Sequence, residues 1–419
     1  MRLKNAKLYG QEGLWNIEIQ EDLIQSITSA ETDESNSDQN EIDLNGKIVL
    51  PPYVEPHIHL DYVLTAGTPR WNKSGSVFEG IEIWSERKKI VNETKEDIKK
   101  RALKAVEMQM KHGIQHVRTH ADVSDPSLTG LKALLEVKEE VSPWMDIQIV
   151  ALPQEGLYTK AEGEELLEQA LQMGADAVGA IPHYEPTRED GVKSVKKAIE
   201  LALKYDKLVD VHCDEIDDAQ SRYIEVLAAE AIKSGLENKV TASHTTAMAT
   251  YEDAYTYKLF QTLKKANINF VALPKANLHL QGRFDGYPKR RGITRVKELL
   301  EEGLNVSFGL DSIVDPWYPL GDGDLMSVVD TGLHACHMTS YDDIVSALEL
   351  ITINGAKTLN IENEYGVKEG NKANLIVIDS DSEYEAVRCQ SPVIYSIRNG
   401  EILVETKPAE TTMNIPNLF

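Results

Sequence analysis

Residues 51–61 read PPYVEPHIHLD, with His57 and His59 one residue apart at the end of an apolar run. Side chains at i and i+2 on a strand point to the same side, about 7 Å apart by the strand rise. Two neutral imidazoles so placed can share one metal ion, because imidazole is a common ligand of zinc and iron. Other short apolar runs also end in groups that can do chemistry. They supply Arg118 and His120, Gln154 and Glu155, His183 and Glu185, His212 with Asp214 and Glu215, His244, Lys275 and Asn277, and Asp311 with Ser312. A buried strand end ordinarily takes Val, Ile or Ala. Histidine recurring at so many of them points to a shared site.

His57, His59, His212 and Asp311 offer three nitrogens and one oxygen and leave a position for water, the open pattern of a catalytic rather than a structural ion. Such an ion lowers the pKa of its water to about 7. A two-metal site of this kind needs a bridging lysine, and neither AVGAIPHYE nor IQIVALPQE contains one. One divalent ion is therefore expected. Glu215, just past its strand, can carry protons between water, a substrate nitrogen and a leaving group. It can also serve as a favourable acid at a helix N-terminus. His244 can polarise the water or steady a developing anion. Cys213, one residue from His212, points the other way and reads as a small buried hydrophobe.

These groups need a scaffold that gathers strand ends. Eight short apolar runs, from IVLPPYVEPHIHL to NVSFGLDS, alternate with helical patterns such as EDIKKRALKAVEMQMKHG and GVKSVKKAIELALKYD. That alternation predicts a (β/α)8 TIM barrel over 49–366, with active-site groups at the C-terminal strand ends. A doubly wound open sheet is disfavoured, since no GxGxxG follows the first strand of this region. Residues 1–48 and 367–419 read as short strands and predict a small β-sandwich built from both termini. Asn399-Gly400 is the hairpin turn expected there, and AETDESNSDQNEI an exposed acidic loop.

The chain has 419 residues and a formal net charge of −24, which opposes polyanion binding. The densest basic run, KRRGITRVK at 289–297, reads as a solvated segment, so no nucleic-acid partner is expected. The three cysteines lack CxxC spacing, against a zinc knuckle or disulfide framework. The N-terminal residues lack the apolar segment of a signal peptide, and no apolar run is long enough to span a membrane. A cytoplasmic protein without a membrane partner is the expectation.

With these residues in hand, the chain resembles the amidohydrolase superfamily and, within it, the bacterial cytosine deaminases. PPYVEPHIHLD, NKSGSVFEGIEIWSERK, GIQHVRTHADVSD, VTASHTTAM and DPWYPLG carry the resemblance, which covers most of 45–400. It implies one Fe2+ or Zn2+ on His57, His59, His212 and Asp311. It further implies proton transfer by Glu215, assistance by His244 and Asp311, reading of the base's amide edge by Gln154, and a pocket wall at Trp317. The implied reaction is hydrolysis of free cytosine to uracil and ammonia by a homo-oligomer. Strand eight departs from the pattern: in FGLDSIVDPW, Leu310 and Ser312 stand where the family has His and a second Asp. Ser312 removes a charge and opens space near the ring, which leaves another cyclic amidine (isoguanine, a triazine or creatinine) as the alternative substrate. Lys275 reads as a solvated loop residue rather than a pocket group. A metal-binding barrel without turnover is the remaining alternative, and it would not need Glu215. The segment 72–80, with Gly75 and Gly80, can close over the pocket.

Overall fold

The computed structural model describes residues 1–32, 40–91 and 93–413. Most of the acidic stretch expected as an exposed loop, 33–39, lies outside the described residues. The chain divides into two compact units, Met1–Pro51 with Gly366–Phe419, and Pro52–Tyr365.

The first unit is an eight-stranded sheet to which both ends of the chain contribute. Arg2–Leu8 is its shared strand. Arg2 to Lys4 pair with Glu41–Asp43, and Lys7 and Leu8 pair with Ile48 and Val49. The path continues from Ile48–Leu50 through Leu375–Ile378 and Val393–Arg398 to Glu401–Glu405. Alternating apolar residues collect on one side, where Leu3, Ile17, Ile24, Val49, Leu375, Val377 and Ile397 share a core. Asn399 and Gly400 both have positive φ, 50° and 79°, the turn geometry that suits the right-handed twist of a hairpin.

The second unit is a TIM barrel. Its eight strands are Tyr53–Ile58, Ile114–Asp122, Asp146–Leu152, Ala177–Ala180, Leu208–Cys213, Val240–His244, Asn269–Ala272 and Val306–Phe308, hydrogen-bonded in chain order. All the pairings between them are parallel. The expected helical patterns lie between them. Lys95–Lys111 starts at a capping box of Thr94 and Asp97, which satisfies donors that a helix N-terminus otherwise leaves open. Gly163–Met173 and Tyr223–Ser234 end at left-handed glycines, Gly174 and Gly235. The apolar run IVLPPYVEPHIHL is divided at Pro51-Pro52, where two residues without N–H groups interrupt any ladder. Ile48–Leu50 joins the terminal sheet and Tyr53–Ile58 opens the barrel.

The barrel closes where the chemistry lies. Ile58 bridges Asp311 in parallel, Asp311 N–H donates to His57 O at 2.9 Å, and His59 N–H donates to Asp311 O at 3.2 Å. Pro56 has no N–H to offer, and the eighth strand spans only 3 residues. The buried Glu55 carboxyl fills the gap, accepting from His57 N–H at 2.8 Å and Leu310 N–H at 3.0 Å. A buried donor left without an acceptor costs about 1–3 kcal/mol. Glu55→Ala orphans two, so the metal-free protein should lose roughly 2–6 kcal/mol in urea unfolding. Glu55→Gln, which keeps one carbonyl acceptor, should lose less. An unchanged midpoint for Glu55→Ala would remove Glu55 from this role.

Candidate active site

The nine residues given a ligand, proton-transfer or substrate role from the sequence (His57, His59, Gln154, His212, Glu215, His244, Asp311, Ser312 and Trp317) are all buried in the barrel unit. His57 is the penultimate residue of the first strand, with His59 just beyond its end; His212 is penultimate in the fifth strand and His244 ends the sixth. His59 Nε2 lies 3.1 Å from His212 Nε2. Asp311 Oδ1 lies 3.6 Å from both His57 Nε2 and His59 Nε2. Ligand atoms about 2.1 Å from one zinc ion stand roughly 3.0–3.4 Å apart, close to these separations. Each of these rings also keeps a buried nitrogen that the protein leaves unpaired, and among the described residues the Nε2 atoms of His59 and His212 have only each other. His57 Nε2, His59 Nδ1, His212 Nδ1 and His244 Nε2 are buried with no hydrogen-bond partner among the described residues. Burial, reinforced by neighbouring imidazoles, holds His57, His59 and His212 well below the ordinary histidine value. They are therefore neutral and keep the lone pairs a metal requires. The donor set fits one divalent ion.

Glu215 and His244 complete the group. His244 Nδ1 is 3.3 Å from Glu215 Oε1 and 3.1 Å from the Asn277 side-chain amide. Glu215 does not cap the following helix. Asp214 does so, accepting from Tyr223 N–H and Ile224 N–H at 2.9 Å each and from Ser221 Oγ at 2.6 Å. That division leaves the Glu215 carboxyl free to line a cavity of about 200 Å³ with Ser76, Val77, Phe78, Leu280 and Phe284. Burial pushes Glu215 up to about 8, so it holds a proton near neutrality, as a general acid must.

Aromatic rings wall one side. Tyr62 stacks on His59 and on Trp317, with centroids 4.5 Å apart in each case. Trp317 in turn lies against Gly80, where a Cβ would sit 2.6 Å from its ring. Its loop is held by Asp315, which accepts from Trp317 N–H and Tyr318 N–H at 3.0 Å each. Gln154 and Ser312 are buried, and Gln154 Oε1 has no hydrogen-bond partner among the described residues. Within 72–80, Gly75 O accepts from Arg283 Nε at 2.9 Å. Lys275 turns away from the site, to Asp322 at 3.1 Å and to Ser327.

The sequence reading assigned no role to His120, yet it joins the group, its ring 4.0 Å from His57 and 4.9 Å from His59. It also missed Tyr62, Asp210 and Ser243. Asp210 stands two residues before His212, so it shares an inward face with it, and that spacing was the available signal.

Metal removal should expose the cost of this burial. In stripped protein, folded Glu215 keeps its proton up to about 8, against an ordinary value of 4.5, and Asp311 is likewise raised, by burial and then by the charge of Glu215. On these two carboxyls the folded state binds more protons than the unfolded chain, whereas His57, His59, His212 and His244 bind fewer wherever the unfolded chain's histidines are charged, below about 6.5. The carboxyls' contribution to stability is complete below their ordinary value and lost as pH rises through the folded one, and the imidazoles' cost fades as pH rises through about 6.5. Above the ordinary histidine value the carboxyls alone decide the sign, so thermal melts of chelator-stripped protein should fall from about pH 7 to about pH 8, and metal-loaded protein should fall less. A stripped protein that gains stability over that window would contradict the assignment.

A model of the amidohydrolase family matches residues 40–404. The N-isopropylammelide isopropyl amidohydrolase of Pseudomonas sp. (strain ADP) is 30% identical over 413 residues, covering 96% of this chain and 96% of that protein. The pterin deaminase of Rhizobium rhizogenes is 26% identical over 404 residues, 95% of this chain and 90% of that one. Among solved structures, 5-methylcytosine deaminase from Klebsiella pneumoniae, liganded with 5-fluorocytosine, superposes with a TM-score of 0.96 at 51% identity over 99% of each chain. Family model, relatives and barrel agree, and the chain belongs to the amidohydrolase family.

Proposed function

We propose that this chain is a metal-dependent deaminase of free cytosines, with 5-methylcytosine its preferred substrate. The observation that carries the reading is the proton-holding Glu215 carboxyl beside His244, next to three neutral imidazoles and Asp311. A scaffold has no use for such a carboxyl. The 51% identity to a 5-methylcytosine deaminase supports the substrate class.

When bound to His57, His59, His212 and Asp311, a divalent ion supplies Lewis acidity and a water of lowered pKa. The protein's own groups do the rest. Glu215 protonates the ring nitrogen beside the carbon that bears the amine, as water adds to that carbon. His244 steadies the developing charge, and Asp311 takes up the water's proton. A second proton then passes to the amine, the carbon–nitrogen bond breaks, and ammonia leaves. Cytosine plus water becomes uracil plus ammonia, and 5-methylcytosine gives thymine. Gln154 reads the amide edge, and Trp317 and Tyr62 wall the ring. Ser312, buried and uncharged, leaves room for a small substituent on the ring carbon next to the amine-bearing one. Iron or zinc as the ion, assembly as a homo-oligomer, a cytoplasmic location and a place in pyrimidine salvage belong to the same proposal and rest on the family resemblance.

The test is ammonia release by iron- and zinc-loaded protein on 5-methylcytosine, cytosine, isoguanine and creatinine. Turnover should be fastest on 5-methylcytosine, with cytosine next. Glu215→Gln should lower kcat by roughly 10²–10⁴-fold, the usual worth of a positioned acid–base group, with metal content unchanged. Ser312→Asp should shift kcat/KM away from 5-methylcytosine relative to cytosine by roughly 10–200-fold, the worth of a methyl-sized space. Fast release from isoguanine or creatinine alone would move the substrate, and no release from any ring with a full metal site would sink the deaminase reading.

A further inference from the structure

Beneath the ligand set lies a chain of buried polar groups that the proposed reaction does not use. Arg118, fully buried, spends all five of its N–H donors. Nε and Nη2 donate to Gln148 Oε1 at 3.1 and 3.0 Å, and Nη2 also donates to Thr358 O at 2.8 Å. Nη1 donates to Asp210 Oδ2 and to Thr241 Oγ1, at 3.1 Å each. Asp210 Oδ1 accepts from Ser243 Oγ at 2.7 Å. Ser243 Oγ in turn lies 2.9 Å from His57 Nδ1. All four side chains at the core of this chain, Arg118, Asp210, Ser243 and His57, are 0% exposed.

The proton positions follow from donor counts. A carboxylate paired with a guanidinium accepts only. The single hydroxyl proton of Ser243 is therefore committed to Asp210, and Ser243 meets His57 Nδ1 with a lone pair. His57 must carry its proton on Nδ1 and present a bare Nε2 to the side where Asp311 Oδ1 stands 3.6 Å away. His59 Nδ1 and His212 Nδ1 have no comparable partner among the described residues.

We propose that Asp210 and Ser243, anchored by Arg118, are positioning residues that lock the tautomer and ring orientation of His57 and thereby set the affinity of the centre for its metal ion. The proposal rests on the metal-centre reading and not on the identity of the substrate. Outer partners of ligating histidines typically contribute 10–100-fold to metal affinity. The experiment is competition for Zn2+ between stripped protein and a chromophoric chelator, a readout independent of turnover. Ser243→Ala should bind Zn2+ about 10–100-fold more weakly than the parent. Ser243→Thr, which restores the hydroxyl, should return to within about threefold of the parent on that same scale.

Ser243→Ala affinity equal to the parent's would overturn the relay and leave the deaminase reading intact. A parent that binds no Zn2+ would overturn both. Should Ser243→Ala fail to fold, the 15N spectrum of zinc-loaded parent decides, with His57 assigned by its loss in His57→Gln. A protonated Nδ1 supports the relay, and a protonated Nε2 overturns it.

Discussion

The interaction on which the rest of this structure depends is the mutual desolvation of six ionisable side chains. His57, His59, His212, His244, Glu215 and Asp311 share one water-poor end of the barrel, none more than 6% exposed. Burial disfavours the charged form of each group, so the imidazoles shed protons and the carboxyls gain them. Left alone, the group is neutral and poorly satisfied, with ring nitrogens facing one another across short gaps. A divalent cation resolves that conflict, because it is the one charge that neutral imidazoles and a buried carboxylate stabilise together. Metal affinity, the proton on Glu215 and the stability of this end of the barrel are therefore one balance.

The barrel builds that balance in two layers, using the two-residue period of its strands. Glu55 precedes His57, Arg118 precedes His120, Asp210 precedes His212 and Thr241 precedes Ser243, each pair two apart and facing inward. Register aligns Asp210 with Thr241 and His212 with Ser243 across the fifth and sixth strands. Barrel interiors are ordinarily filled by branched apolar residues. Here the lower layer is polar and fully hydrogen-bonded, with Arg118 and Asp210 cancelling each other's charge. An unpaired charge at that depth would be destabilising, so the lower layer keeps itself neutral and rigid, and the upper layer is free to hold reactive groups.

Much of this was legible in the sequence because strand ends announce themselves by residue type. An apolar run that ends in His-x-His or His-Cys-Asp-Glu states both its direction and which of its ends carries the chemistry. The eight runs and the candidate ligand residues could be named without knowing which strands pair. What depended on pairing was not legible. That Asp214 rather than Glu215 caps the helix is decided by a loop returning through Ser221 to Tyr223. That His120 leans on His57, and that Lys275 is taken up by Asp322, follows from neighbours far away in the chain. The division at Pro51-Pro52 was local and visible, yet its consequence, one apolar run shared between two sheets, required the partner strand Leu375–Ile378.

Backbone strain links this architecture to substrate choice. Asp214, His244, Thr245 and Asp311 all take left-handed φ values, 52°, 67°, 45° and 66°, which cost residues with a side chain roughly 1–3 kcal/mol each and persist only where surrounding contacts impose them. The contacts are present. Thr245 N–H donates to Cys213 O at 2.9 Å, Ala247 N–H to Asp214 O at 3.0 Å, and Asp311 N–H to His57 O at 2.9 Å. The strain is located where strands give way to loops and where Glu215, His244 and Asp311 must turn inward. As a proposed ligand Asp311 bends inward, and that bend sets where the next side chain emerges. On the proposed reading, residue 312 meets the ring substituent from a position it does not itself determine. Changing its identity alters which ring fits while the ligand, its strain and its hydrogen bonds stay in place. Chemistry and specificity are adjacent in the chain and still separable.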